Sequence, residues 1–87
     1  MAELHFVPRF HEDLQDIWLT IAADNMAAAD KVLTAIYDRC LLLAHHPDAG
    51  PRRSEISPDC RCLVEGTYLI LYSHVGQRVT LVRALHG

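Results

Sequence analysis

The chain has 87 residues, of which 51% are hydrophobic, and a formal net charge of −3. That is one domain with a thin stability margin, since a chain this short buries only roughly 60–65% of its unfolded surface. The apolar fraction excludes a disordered chain, no apolar run approaches the ~20 residues of a membrane span, and a single lysine, Lys31, argues against a general nucleic-acid binder.

At the N-terminus, Met1-Ala2-Glu3-Leu4-His5 has no basic segment and no apolar h-region, so no signal peptide is expected there. Leu4-His5-Phe6-Val7 reads as a short strand. Pro8 suits the first turn of a helix, where its missing N–H is an orphan in any case. Phe10, Leu14, Ile17, Trp18 and Ile21 then follow the i, i+4, i+7, i+8, i+11 spacing of one helix face, predicting a helix over Pro8–Ala23. Glu12, Asp13 and Asp16 lie in its N-terminal half, where the helix dipole favours negative charge.

Asp24-Asn25 interrupts the pattern and offers an N-cap. A second stripe of Ala28, Val32, Ile36, Cys40 and Leu43 predicts a helix over Met26–His45, ended by Pro47. Two helices joined by so short a turn are antiparallel neighbours.

Residues 48–59 are rich in Gly, Pro, Ser and Asp and read as loop. The period then switches from 3.6 to two. Cys60–Glu65, Tyr68–His74 and Arg78–Leu85 read as strands, with turns at Gly66-Thr67 and Gly76-Gln77, giving an antiparallel meander. The expected fold class is α+β: an N-terminal strand, a helical hairpin and a three-stranded meander completing one sheet over residues 1–87. The helices cover one sheet face, which puts the functional surface on the open face or along an edge.

The charges divide unevenly. Residues 1–44 hold seven acids and three bases, and residues 45–87 hold five bases and four acids. Arg83, on the apolar strand Val79–Leu85, needs exposure or a partner. It reads either as an ion pair with Glu65 or another acid, or as a contact to a target, and Arg61 carries the same two readings. Tyr68 and Tyr72, four apart, share a face with Ile70 and are explained as core rings with hydroxyls at the rim. His86 has the chemistry of a general acid or base; near the last residue given, it is equally a frayed or partner-bound side chain. Trp18 and Tyr37 read as packing residues, and Arg52-Arg53 as solvated charge. Lys31 is expected on a helix away from the sheet.

Three cysteines, Cys40, Cys60 and Cys62, make an odd number without Cys-x-x-Cys spacing, so reduced thiols in a cytosolic protein are expected. The six histidines show no metal-ligand spacing, so neither a metal nor a cofactor is expected.

Taken in order, Asp13-Leu14, Ile17-Trp18, Ile21, Ala29, Ile36, Leu43, Pro47, Gly50, Arg53, Arg61, Tyr68, Ile70, Tyr72 and Arg83-Ala84-Leu85-His86-Gly87 resemble the ParE branch of the ParE/RelE toxin superfamily. The resemblance implies the toxin of a bacterial type II toxin–antitoxin system, a plasmid-stabilising type of module, held inactive by a cognate antitoxin in a higher-order complex. It implies a cytoplasmic protein that is no enzyme but binds DNA gyrase and traps its cleaved-DNA complex, with no sequence-specific nucleic-acid binding of its own. Arg61, Tyr68, Tyr72, Arg83 and His86 are then the target- or partner-binding residues. The ribonuclease branch offers a rival, an mRNA endoribonuclease using Arg61, Arg83 and His86, and a non-toxic antitoxin-binding relic offers another. Many relatives continue past the His-Gly motif with a basic tail, so a toxin dependent on that tail would lack it in a chain ending at Gly87.

Overall fold

Val7 and Pro8 set the junction between the first two elements. The computed structural model describes residues 1–87 and begins with strand β1, Glu3–Phe6, one residue earlier than expected. Val7 is extended at φ −72°, ψ 153°, and Pro8 starts helix α1, Pro8–Ala22, where its fixed φ suits the first turn. Asn25 opens helix α2, Met26–Leu42, its side chain accepting the Ala28 amide at 3.0 Å. This satisfies one of the amides that a helix start leaves without an intrahelical partner.

α2 stops short of the expected His45. The amides of Leu43, Ala44 and His45 reach back three residues, to Cys40, Leu41 and Leu42. The tightened turn ends the helix before Pro47 can act and seats Leu43 fully in the core.

Strands β2 (Cys60–Glu65), β3 (Tyr68–Val75) and β4 (Arg78–His86) form the antiparallel meander. The sheet order is β1-β4-β3-β2, with β1 parallel to β4. Gly66 and Gly76 both have φ 59°, the left-handed conformation that the two tight turns require. β4 carries an irregularity: Arg83 faces Leu71 while Leu81 faces Tyr72, so Val82 has no partner. This bulge shifts the alternation by one residue. Val79 and Leu81 point inward, and then Ala84 does so in place of Arg83.

The core lies between helices and sheet, where Phe10, Leu14, Ile36, Cys40 and Leu43 meet Ile70, Tyr72, Val79, Leu81 and Ala84. Each fully buried aliphatic of this kind contributes about 1.5–3 kcal/mol. On the far face, register aligns Val64, Leu69 and Leu85 in one row and Cys62, Leu71 and Arg83 in the next. Val64 is 53% exposed and Val82 39%. No helix covers this side.

Residues 51–53 run along the free edge of β2. Arg52 bridges Arg61, Cys62 N–H donates to Pro51, and Arg53 N–H donates to Cys60. All three cysteines are free and buried. Burial pushes the Cys40 thiol up to about 12, which makes it inert.

Candidate functional site

Asp13 stands on the apolar stripe of α1, three residues after Phe10 and four before Ile17, and is 5% exposed. β1 covers β4 only as far as Leu81. Past that point the β4 edge has no strand neighbour, and Asp13 fills the gap. Its Oδ2 accepts the Ala84 amide at 3.0 Å and Arg83 Nε at 2.7 Å, and its Oδ1 accepts Arg83 Nη2 at 3.2 Å. Arg9 adds a longer contact of 3.5 Å. Burial opposes the charge, but the Arg83 and Ala84 hydrogen bonds and the nearby guanidinium charges outweigh it. The carboxyl is held below its usual range. Of the acids open to Arg83 in the sequence, its partner is therefore Asp13, while Glu65 bonds Arg39 at 3.2 Å.

A second cluster pins the loop to the sheet. The ring of Tyr72 is fully buried. Its hydroxyl accepts the Gly50 amide and donates to the Pro47 carbonyl, both at 2.9 Å. Arg61, opposite Tyr72 in the sheet, donates through Nη1 to the carbonyls of Gly50 at 2.8 Å and Asp48 at 3.3 Å. Its Nη2 lies 3.3 Å from the Asp48 carboxylate. His74 Nδ1 meets the same carboxylate at 2.7 Å. Those contacts, the His74 hydrogen bond first, lower the Asp48 carboxyl below its ordinary value. Asp48, Arg52, Pro58, Asp59, Arg61 and His74 line a polar cleft of about 220 Å³ here.

The third cluster lies at the other end of the sheet. Tyr68 pairs with His86, their rings edge to face with centroids 5.3 Å apart. Gly87 N–H donates to Thr67 at 2.7 Å. His86 is thus held in the last pair of the ladder and is not frayed. Lys31 does not lie away from the sheet: with Val32, Ile36, Glu65, Thr67 and Tyr68 it lines a groove of about 280 Å³ between α2 and the β2–β3 turn. Trp18 Nε1 donates to Asp30 at 2.8 Å, and Tyr37 stacks on Phe6. Arg53 is bound to Glu55 at 2.7 Å, so the Arg52-Arg53 pair is not simply solvated.

The structure keeps the expected site residues apart. Arg61 stands opposite Tyr72 and His86 opposite Tyr68. That is about 13 Å along the strands and about 10 Å across them. Arg83 lies with Leu71 on the far face. Asp48 and His74, which complete the loop cluster, carry no sequence signal of their own. Asp13 did carry one, a carboxylate on an apolar helix stripe. No group of three or more His, Cys, Asp or Glu residues is placed to hold a metal ion. No helix is long and apolar enough to cross a membrane.

The family model of the ParE toxin of the type II toxin–antitoxin system parDE matches residues 4–87. The chain belongs to the ParE toxin family. It is a ParE-type toxin of a type II toxin–antitoxin system. No curated protein is a significant match to it. Its fold is similar to a solved chain of the chromosomal ParDE TA system from P. aeruginosa, at TM-score 0.81 and 18% identity. That match covers 99% of this chain and 96% of the other. Within the ParE toxin match fall all three clusters: the Asp13–Arg83 pair, the Asp48–Arg61–Tyr72–His74 pins and the Tyr68–His86 pair.

Proposed function

We propose that this ParE-type toxin binds DNA gyrase, traps the cleaved-DNA complex and is neutralised in the cytoplasm by a cognate antitoxin. The observation that carries this reading within the family is the separation of Arg61, Arg83 and His86. An RNA-cleaving centre needs donors and an acid or base converging on one reacting phosphate. Here two of the three groups hold carboxylates, on different faces, far from the third. The same fact supports a protein-binding poison, which acts by favouring one state of its target.

We assign the target to the open sheet face, where Val64 and Val82 are exposed and Leu69 and Leu85 half-buried beside Arg83. The antitoxin is assigned to the helical hairpin and the adjoining sheet edge, in a higher-order complex. The similarity to a ParDE chain supports such a partner.

Purified toxin is to be tested in parallel on gyrase with supercoiled DNA and on ribosomes carrying mRNA. Cleaved DNA should accumulate in the first, and mRNA should stay intact in the second. One observation favours the ribonuclease reading, the exposed His86 against Tyr68. Site-specific mRNA cuts that vanish in His86→Ala would promote it over gyrase. Induced expression with and without the neighbouring gene tests neutralisation.

A further inference from the structure

His74 has both ring nitrogens committed to acceptors. Nδ1 lies 2.7 Å from Asp48 Oδ1, and Nε2 lies 2.9 Å from the Gly76 carbonyl oxygen. A carbonyl oxygen and an ionised carboxylate accept but do not donate. A neutral imidazole has one N–H and one lone pair, so it satisfies one neighbour and turns a lone pair on the other. An imidazolium satisfies both. Its Nδ1–H to the carboxylate then becomes a charge-assisted bond, the stronger kind.

This ring is the only side-chain tie from β3 to the Asp48 carboxylate, and that carboxylate also holds Arg61 on β2. Arg61 and Tyr72 in turn bond Asp48, Gly50 and Pro47. The residues that follow are laid along β2 by the Cys62-to-Pro51 and Arg53-to-Cys60 backbone bonds. The other charged groups around the ring are few. Arg52 and Asp59 face it across the polar cleft. Met1, His45 and Gln77 line the shallow cavity on its other side. Asp48 and Asp59 favour a proton on the ring, and Arg61 and Arg52 oppose it.

We propose that His74 is a proton-operated fastener for residues 47–53. In the protonated ring both bonds hold, and the loop is drawn onto β2 and β3. Loss of the proton leaves one N–H for two acceptors and takes the charge assistance from the Asp48 contact, so Asp48 is held less tightly to β3 and the strip carrying Arg52 and Arg53 loosens from the sheet edge. Histidine is the side chain whose charge ordinarily changes between roughly pH 5 and 8. The device does not depend on which target the toxin attacks.

The test is amide hydrogen exchange on the full chain across that pH range, with the ring ¹⁵N shifts of His74 recorded on the same samples. Protection factors, which remove the intrinsic pH dependence of exchange, are read at Gly50, Arg53 and Cys62, with Ile70 as the core reference. Protection at the three loop-dependent amides should fall several-fold as the ring loses its proton, with the same midpoint, while Ile70 stays constant. His74→Gln should show low protection at every pH. Asp48→Asn, which keeps a neutral acceptor, should flatten the response and move the ring titration to lower pH. Loop protection that is constant through the ring's titration would overturn the proposal. So would an unchanged pH response in either variant.

Discussion

Asp13 and Arg83 are seventy residues apart in sequence and 2.7 Å apart in space. The carboxylate that holds the guanidinium also takes the Ala84 amide, at the point where β1 ends and β4 would otherwise have a bare edge. Helix α1 thereby closes a sheet edge with one side chain.

Asp13→Ala should destabilise the fold, because it leaves the Ala84 amide buried without an acceptor. Such a group costs about 1–3 kcal/mol, which in a domain this size lowers the melting temperature by roughly 4–8 °C per kcal/mol. Asp13→Asn, which keeps one acceptor oxygen, should lose less. Thermal melts of the three proteins check the order.

The pH dependence of the same pair has a definite sign. The folded carboxyl of Asp13 is held below its ordinary value, so the unfolded chain takes up the proton first. Stability from this group is complete above the unfolded value, about pH 4, and is lost as pH falls through the folded one. Denaturant midpoints should drop on acidification below that point in the wild type, and the drop should be smaller in Asp13→Asn.

Tyr72→Phe removes one hydroxyl and leaves the rest of the core ring in place. The Gly50 amide then has no acceptor and the Pro47 carbonyl no donor, a loss of about 1–3 kcal/mol. Gly50→Ala should be more disruptive at the same place. A Cβ there would come within 2.7 Å of the Cys62 carbonyl oxygen and 2.9 Å of its carbon. These are backbone atoms of a paired strand and cannot move aside alone. Hydrogen exchange should show loosening of residues 50–53 in both variants, and melts should show Gly50→Ala the less stable.

Arg83→Ala should lower melting temperature and toxicity together, since it strands the Asp13 carboxylate. Val64→Glu and Val82→Glu, on the open face, should leave the melt near that of the wild type and weaken gyrase binding about tenfold, or ~1.4 kcal/mol. Circular dichroism beside a gyrase-binding assay separates the two behaviours. Gyrase binding unchanged in both valine variants would remove the open face as the target surface.

Purified antitoxin should raise the melting temperature of the toxin. A ligand that binds only the folded state, present at a hundred times its dissociation constant, adds about 2.7 kcal/mol. Differential scanning fluorimetry with and without the partner reads the shift directly, and no shift at that excess would count against an antitoxin that clasps the folded domain.

The elements of the fold were legible in the sequence because two periods dominate it, with Gly66 and Gly76 marking the turns between the strands. Three features were not. β1 is too short to announce its neighbour, and its parallel pairing with β4 depends on the whole topology. The bulge at Val82 looks like any other valine in an apolar run, yet it decides which face Arg83 takes. The path of residues 47–50, which brings residues 51–53 onto β2, is set by Tyr72, Arg61 and His74, side chains from strands that come later in the chain. For the candidate site, sequence named Arg61, Tyr72 and Arg83 but not what they hold. Asp13 was read for the helix dipole, and its place on the apolar stripe marked it for burial instead.

The sheet order has a consequence in time. β4 lies between β1 and β3, so the first strand to be synthesised has no neighbour until the last one emerges. Asp13 waits equally long for Arg83 and Ala84. A nascent chain ending anywhere before residue 78 holds a helical hairpin and part of a meander, with the core still open to water. Contacts this distant in sequence are slow to form, and here none can form during most of synthesis. The sheet therefore closes, and Asp13 finds its partners, only once β4 has been made.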